Sequence, residues 1–315
     1  MTAREGPAAL GRLAGTLETH LGPGAVRKDE PLARYTALRI GGPAELLVVA
    51  EEAAALRAAV ELAWREGVAC RVLGAGSNVL IGDAGIRGLV VLNRANQVTF
   101  HDGEVWAESG ASLSTLARRC VSRGLAGLEW AAGIPGTVGG AVVGNAGAWG
   151  GDVASVLEQV RVLEPGGQVA LWPVGRMGYG YRRSVLKGQG AGGEPQAVVL
   201  EAGFRLEQDD RERLERRLAE IAQQRKGSQP PGATCGSVFK NPPGDYAGRL
   251  IEAAGLKGAS RGGAVISSLH ANFIVNQGGA TAADVKALID LARREVEAAT
   301  GVRLELEIEM LGKWQ

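Results

Sequence analysis

The stretch VLGAGSNVLIGDAGIRGLVV, residues Val72–Val91, decides the fold, because apolar strand-like segments meet there through glycine. A predicted strand at Ala69–Leu73 runs into Gly74–Asn78, whose consecutive N–H groups lie beside a serine hydroxyl and an asparagine amide. Such a loop suits a pyrophosphate, and a tight turn between strands is the alternative. The loop lacks the third glycine of GxGxxG and the GK[ST] ending of a Walker A loop. Taken alone, the loop favours a tight turn between strands, and phosphate binding outside these two motifs is the other interpretation.

A second glycine cluster, AAGIPGTVGGAVVGNAGAWGG at Ala131–Gly151, adds more backbone without side chains at 134–137 and 145–148. Such backbone suits a flat ring system or a second phosphate face. The chain has 48 glycines in 315 residues, about twice the usual share of roughly 7%. The second cluster strengthens the phosphate-binding interpretation of the first.

Composition limits the class of protein. A chain of 315 residues can form two domains, or one large one, with a buried core. The net charge is +1 and basic residues are spread out, which argues against nucleic-acid binding. Cys70, Cys120 and Cys235 form no CxxC pair, so neither disulfides nor a metal site are indicated.

The start MTAREGPAAL lacks signal-peptide features, and no apolar run approaches the roughly 20 residues that cross a bilayer. A cytoplasmic monomer that binds no membrane is expected.

Helical and strand patterns alternate along the chain, which predicts a fold with both helices and strands. Hairpin turns are expected at Asp102-Gly103 and at 165–167, and Thr281 with Asp284 predicts a capping box. Helices are predicted at Ala8–Leu21, Glu51–Glu66, Ser112–Arg123, Glu207–Lys226, Asp245–Ala254 and Ala282–Ala299. Strands are predicted at Glu45–Ala50, Ala69–Leu73, Gly88–Leu92, Gln97–His101, Glu104–Ala107, Val156–Leu163, Gln168–Trp172 and Ala197–Leu206. The highly charged helix after residue 206 predicts a domain boundary near 205–210.

Two segments of the C-terminal part combine polar groups that could do chemistry. CGSVFKNP, residues Cys235–Pro242, places a hydroxyl, a lysine and an amide between glycine and proline, and the simplest interpretation is a surface turn with a serine cap. In Arg303–Glu309, residues alternate, so a strand with Glu305, Glu307 and Glu309 on one face is predicted. Three carboxylates on one face are typical of a solvated edge, which is the expectation for Glu309.

Six ordered segments between about Arg34 and Gly312 resemble the UDP-N-acetylenolpyruvoylglucosamine reductases: TALRIGGPAE, VLGAGSNVLIGDAGIRGLVV, LEWAAGIPGTVGGAVVGNAGA, YGYRRS, CGSVFKNP and LELEIEMLG. These are FAD enzymes that complete UDP-N-acetylmuramate for peptidoglycan, and so serve cell wall synthesis, cell shape and cell division. The residues before this resemblance, 1–33, are expected to form an N-terminal helical segment without an assigned role. The resemblance implies a two-part FAD-binding domain of the vanillyl-alcohol-oxidase (PCMH) type at 34–206, divided near 93, and a C-terminal α+β substrate domain at 207–315.

The resemblance further implies FAD as cofactor, NADPH as reductant and UDP-N-acetylglucosamine enolpyruvate as substrate. Non-covalent FAD is expected because His20, His101 and His270 lie outside the glycine loops. A bulky residue at Gly76 is expected to give a folded protein without flavin. The implied FAD contacts are Arg39, Gly74, Ala75, Gly76, Ser77, Asn78, Val79, Leu80, Gly133, Ile134, Pro135, Gly136, Thr137, Asn145, Gly147 and Ala148.

In this family, hydride from N5 of the reduced flavin adds to the terminal alkene carbon, and negative charge develops on the carbon beside the carboxylate. By resemblance, Arg182 holds that carboxylate, Ser237 donates the proton to the carbon, and Glu307 assists Arg182 or relays a proton. A surface arginine in a basic turn is the alternative for Arg182 and the expectation for Arg183. The implied substrate contacts are Tyr181, Arg225, Lys226, Lys240 and Asn241.

The sequence departs from the family pattern at few points. Leu306 stands where proline is common, and Cys235 stands where a small residue such as alanine is common and is interpreted as an apolar filler. The link GQGAGGEPQ after Lys187 has no aromatic residue, so the shorter form without a tyrosine-bearing loop is expected. Two other classes stay open. One is an oxygen-reactive flavin oxidase on the same scaffold, and the other is a catalytically silent sugar-nucleotide-binding protein.

Overall fold

The computed structural model describes residues 6–188 and 197–314, and the chain forms two compact units. The first unit contains the chain up to Glu30, Glu45–Gly74 and Arg87–Gln223, and the second contains Pro31–Ala44, Ala75–Ile86 and the chain from Gln224 onward. The domain limits at residues 34 and 207 stay a prediction. Within the described ranges, no helix is long and apolar enough to span a membrane.

Helices and strands alternate over both units. The α-helices are α1 (Pro7–Leu21), α2 (Ala53–Arg65), α3 (Leu113–Val121), α4 (Val138–Gly144), α5 (Arg211–Ser228), α6 (Ala247–Ala253) and α7 (Ala282–Thr300). The strands up to Gly151 are β1 (Arg27–Pro31), β2 (Pro43–Ala50), β3 (Cys70–Leu73), β4 (Val79–Ile81), β5 (Ile86–Asn93), β6 (Val98–His101), β7 (Glu104–Glu108), β8 (Leu125–Ala126) and β9 (Gly147–Ala148). The later strands are β10 (Gly151–Asp152), β11 (Leu157–Leu163), β12 (Val169–Pro173), β13 (Val198–Arg205), β14 (Glu207–Gln208), β15 (Ala233–Ser237), β16 (Ser260–Arg261), β17 (Ala264–Ile266), β18 (Phe273–Asn276) and β19 (Glu309–Leu311).

The first unit contains two main sheets. One has the order β1-β2-β5-β3, with β3 parallel to β5, and its hydrophobic cluster includes residues of α1 and α2. The other is antiparallel with the order β12-β11-β13-β7-β6, and its cluster includes residues of α3 and α4. Both predicted hairpins are confirmed, since β6 pairs with β7 and β11 with β12. Asp102 and Gly103 have φ of 43° and 81°, as a two-residue turn of mirror-image type requires.

One predicted helix start in the first unit is wrong, and one helix was not predicted. The charged helix was expected from Glu207, but α5 begins at Arg211, because Glu207 and Gln208 pair with β8. Helix α4, VGGAVVG, was not predicted, since glycine weakens helices by about 1 kcal/mol per residue. Its first turn is stabilised by Thr137, whose side chain accepts a hydrogen bond from Gly140 N.

The second unit contains an antiparallel sheet of order β15-β18-β17-β16 and a parallel pair of β4 and β19. One face of α7 is buried in the core of this unit, at Val285, Leu288, Ile289, Ala292 and Val296, as the sequence predicts. The capping box is confirmed: Thr281 Oγ1 accepts from Asp284 N, and Thr281 N donates to the Asp284 carboxylate. These hydrogen bonds lower the pKa of Asp284.

The predicted strand at Arg303–Glu309 is wrong. Leu306 makes a single bridge to Phe239, the chain bends at Glu307, and regular pairing begins only at β19. Leu304 and Ile308 are buried and Leu306 packs against the same core, so the apolar residues keep the spacing of an alternating segment although it forms no regular strand. That Glu305, Glu307 and Glu309 share one face stays a prediction, and none of the three is buried.

Removing the cap of α7 should destabilise the protein. Thr281→Ala deletes the acceptor for Asp284 N, so the free energy of unfolding is expected to fall by about 1 kcal/mol. Denaturant unfolding followed by circular dichroism measures this change. Thr281→Ser is the control, because its hydroxyl can keep the hydrogen bond. Equal losses in the two variants would show that the cap contributes nothing.

Candidate active site

In the first unit, Tyr181 and Arg182 lie at the tip of a tight turn. Gly180 and Arg183 exchange two N–H···O hydrogen bonds of 3.1 Å each, which close the turn. Arg182 has φ of 54°, a left-handed conformation that costs a non-glycine residue on the order of 1–3 kcal/mol. Tyr181 is 55% exposed, Arg182 is half-buried and Arg183 is exposed. The expectation that Arg183 is a surface arginine is therefore confirmed.

The turn is attached to the C-terminal end of α4. The last carbonyl oxygens of a helix lack partners within it and need donors from elsewhere. The donors are Tyr179 Oη to Val142 O (2.9 Å), Ser184 Oγ to Val143 O (2.6 Å) and, just beyond the helix, Arg182 Nη2 to Gly147 O (2.7 Å). Burial raises the pKa of Tyr179, so its hydroxyl keeps the proton that it donates to Val142 O. The guanidinium of Arg182 is thus oriented by a backbone carbonyl oxygen.

Asn145 ends α4 in a left-handed conformation and is only 4% exposed. Its Nδ2 donates to Gly180 O at 3.1 Å and to the Asp152 carboxylate at 3.3 Å, while its Oδ1 accepts from Ala154 N at 3.0 Å. The side chain is therefore occupied by protein contacts. Any FAD contact by Asn145 would come from its backbone.

The second glycine loop, 133–137, also lies in the first unit. Gly133 N donates to Ser114 Oγ at 3.1 Å and Ile134 N donates to Ala131 O at 3.0 Å, and Pro135 has no N–H. Within the described ranges, the N–H groups of Gly136 and Thr137 have no hydrogen-bond partner. Gly133 and Pro135 are exposed, and Gly133 has a positive φ of 70°. Both interpretations left open by the sequence, a flat ring and a second phosphate, therefore fit this loop.

The first glycine loop fits a diphosphate. Within 6–188 and 197–314, the N–H groups of Ala75 and Gly76 have no hydrogen-bond partner. Gly76 has φ of 60°, and a Cβ there would lie 2.2 Å from Tyr35 O. Gly76→Val would therefore clash with the protein's own backbone, so destabilisation is expected beside the predicted loss of flavin.

The other predicted FAD contacts of the second unit differ in accessibility. Arg39 is exposed, with φ of 56°, in a turn fixed by the buried Thr36, whose Oγ1 donates to Ile40 O at 2.8 Å. Asn78 Nδ2 donates to Glu307 O at 3.1 Å. Leu80 is fully buried, so its side chain belongs to the core of this unit.

Ser237 ends β15, directly after Gly236 with its positive φ of 79°. The pairing register with β18 shifts between Thr234 and Ser237, which is a bulge. Ser237 is half-buried, and its hydroxyl makes no hydrogen bond to any residue of the described ranges, so it does not cap a turn. Cys235 is 1% exposed, and burial raises the pKa of its thiol to about 12, as expected of an apolar filler.

The residues Val238 and Phe239, here called the strap, follow Ser237. On one side, the strap is bound by Asn272. The side chain of Asn272 accepts a hydrogen bond from Phe239 N through Oδ1 (2.9 Å) and donates one to Phe239 O through Nδ2 (2.8 Å). The backbone oxygen of Asn272 accepts a third hydrogen bond, from Val238 N (2.8 Å). On the other side, Glu307 N donates to Val238 O at 2.9 Å. The strap thus joins Ser237 to Glu307. Asn272 was not predicted, because no local pattern marks a contact 33 residues away.

The predicted substrate contacts of the second unit differ in their bonding. Arg225 is half-buried, burial lowers its pKa, and its Nη2 donates to Gln229 Oε1 at 3.0 Å. No carboxylate of the described residues pairs with Arg225, whereas Lys240 Nζ lies 3.2 Å from Glu305 Oε2. Asn241 Oδ1 accepts from Ala247 N at 3.1 Å, and Lys226 is exposed. Arg225 therefore suits an anion better than Lys226.

The predicted absence of an aromatic lid concerns 188–196, of which 189–196 lie outside the described residues.

Comparisons with known proteins agree with this arrangement. The model of the FAD binding domain family matches residues 44–171, and the model of the UDP-N-acetylenolpyruvoylglucosamine reductase C-terminal domain matches residues 228–311. A reductase of that name from Chloroflexus aggregans is 46% identical over 295 residues, which cover 92% of this chain and 98% of the relative. Another from Rubrobacter xylanophilus is 47% identical over 291 residues, with 92% and 96% covered.

A solved structure is also similar. The UDP-N-acetylenolpyruvylglucosamine reductase of Thermus caldophilus superimposes with a TM-score of 0.77 at 39% identity, over 90% of this chain and 97% of that one. The predicted α+β fold, with an FAD-binding domain followed by a C-terminal domain, is confirmed. The chain therefore belongs to the UDP-N-acetylenolpyruvoylglucosamine reductase family.

Proposed function

We propose that this protein reduces UDP-N-acetylglucosamine enolpyruvate to UDP-N-acetylmuramate in the cytoplasm, as a monomer, with FAD as cofactor and NADPH as reductant. Family membership supports the reaction, and the FAD binding domain match supports the cofactor. The observation that carries the chemical assignment is the Ser237 hydroxyl, which bonds to no described residue and directly precedes the strap that binds the backbone of Glu307.

FAD would be held without a covalent bond. The free N–H groups of Ala75 and Gly76 would bind its diphosphate, and the exposed backbone of Gly133 and Pro135 would lie against a ring. The exposed guanidinium of Arg39 would add a positive charge near the phosphates. When bound, FAD supplies the chemistry that moves a hydride from NADPH to the substrate.

Arg182 would bind the carboxylate of the enolpyruvyl group. As hydride reaches the terminal alkene carbon, negative charge spreads from the neighbouring carbon onto this carboxylate. A guanidinium that stays protonated stabilises that charge, and its orientation by Gly147 O removes the need to reorganise during the reaction. The strained backbone at Arg182 supports such a role, since strain of this kind clusters at functional sites.

Ser237 would donate the proton to the carbon beside the carboxylate. Hydride and this proton together account for the two hydrogens that the alkene gains. Glu307 would assist Arg182 in stabilising the enol or relay a proton to the site. The unpaired Arg225 would bind the substrate diphosphate, and Tyr181, Lys226, Lys240 and Asn241 are assigned to the substrate by family resemblance alone.

Anaerobic spectroscopy of the purified protein tests the proposal. The protein is expected to be yellow, to bleach when NADPH is added, and to regain its colour when UDP-N-acetylglucosamine enolpyruvate follows. A parallel reaction with NADH measures the preference for the phosphorylated nucleotide. A colourless protein that takes up no added FAD would contradict the cofactor assignment. A flavin that regains colour only with oxygen would favour the oxidase alternative.

A further inference from the structure

We infer that Asn272 is a positioning residue for Ser237, a role that rests on the proposed function of that serine. Asn272 is 3% exposed, so it is enclosed by protein. It acts through the strap, which begins at the residue next to Ser237 in the chain.

The amide of Asn272 imitates a neighbouring strand. A strand partner offers one acceptor and one donor to the residue opposite, and the Asn272 side chain offers both to Phe239, at 2.9 and 2.8 Å. The backbone oxygen of Asn272 adds a third hydrogen bond, to Val238 N. This replacement is needed because β15 ends at Ser237, opposite the first residue of β18, Phe273, so Phe239 lies beyond the regular pairing of the two strands.

Few other side chains can make this contact. Aspartate has the same shape but lacks the N–H donor, so it would set a carboxylate oxygen against Phe239 O. Alanine removes both bonds and leaves two buried backbone groups unsatisfied, since Phe239 is only 2% exposed. Either change frees the strap to move, and Ser237 moves with it.

A moved donor slows proton transfer more than it weakens substrate binding. Misplacing a reacting group by about 1 Å can cost about 100-fold in rate. Asn272 substitutions are therefore expected to change the oxidative half-reaction, in which the substrate is reduced. The reductive half-reaction with NADPH needs no proton from Ser237 and should keep its rate.

Rapid mixing of the flavin-loaded Asn272→Asp and Asn272→Ala variants tests the inference. Bleaching by NADPH should stay within about twofold of the parent. Reoxidation by the enolpyruvyl substrate at saturation should slow by about 10- to 100-fold, with a much smaller change in KM. These rate constants are measured on flavin-bound molecules, so partial loss of folded protein does not alter them. Val296→Ala is the matched control, because it weakens the same hydrophobic core without removing a hydrogen bond of the strap. Its melting temperature should fall while both half-reactions keep their rates.

The double variant Ser237→Ala/Asn272→Asp separates this inference from the proposed role of Ser237. If Asn272 acts through Ser237, the double variant should be no slower in reoxidation than Ser237→Ala alone. Normal reoxidation in Asn272→Asp, or two effects that multiply in the double variant, would overturn the positioning role. Normal reoxidation in Ser237→Ala would instead refute the donor role itself.

Discussion

Ser237→Ala should leave bleaching of the flavin by NADPH near the parent rate and slow its reoxidation by the enolpyruvyl substrate by at least about 10²- to 10⁴-fold. That range is the usual contribution of a general acid. Ser237 is the only proton donor assigned to this carbon, so the loss is larger if the site offers no substitute. Rapid-mixing absorbance measurements of the two half-reactions separate these effects.

Two further observations make this test specific. The Ser237 hydroxyl bonds to no described residue, so its removal should change the melting temperature little. A cap would instead contribute about 1 kcal/mol. Ser237→Cys should recover part of the lost rate, since a thiol can still donate a proton. A stability loss of cap size together with a normal oxidative half-reaction would return Ser237 to a structural role.

Arg182→Lys should slow the same half-reaction by about 10²- to 10³-fold, the range measured for loss of one donor to a developing oxyanion. Lysine keeps the positive charge and the same backbone preference. It cannot bind a carboxylate through two parallel N–H groups while also donating to Gly147 O. The expected loss is mainly in kcat, because the charge on the carboxylate grows during the reaction.

Arg183→Lys is the matched control, because Arg183 is the next residue in the chain and its side chain is exposed. It should behave like the parent in both half-reactions. If the two variants lose activity equally, the turn as a whole matters and the guanidinium of Arg182 has no special role. A melting temperature near the parent value for Arg182→Lys would show that the end of α4 remains intact.

Local patterns predicted much of the secondary structure. Helix α7 was predicted because its apolar residues recur at helical spacing and Thr281 precedes it, and the hairpin at Asp102 was predicted from a turn pair that favours positive φ. The family was identified from ordered motifs, and the comparisons confirm it. The individual catalytic and binding residues rest on that resemblance and stay predictions.

The parts of the structure that were predicted wrongly or missed depend on contacts between residues distant in sequence, which no local pattern shows. Alternation at Arg303–Glu309 suggested a strand, but hydrogen bonds from Lys240 N to Glu305 O and from Glu307 N to Val238 O decide the conformation. Helix α4 consists largely of residues that weaken helices and is stabilised by donors some forty residues later, such as Ser184. The positioning contact of Asn272 is equally remote in sequence.

The parallel pairing of β4 with β19 affects how the second unit is made in the cell. Residues 79–81 can form their strand pairing only after residues 309–311 have been synthesised. At about 5–20 residues per second, a ribosome needs roughly 10–45 s to cover that distance. During that time β4 lacks its strand partner, and Asn78 Nδ2 lacks its hydrogen-bond acceptor, Glu307 O. An unpaired strand edge invites association with other chains, so the nascent polypeptide should depend on chaperones most strongly until synthesis has passed residue 311.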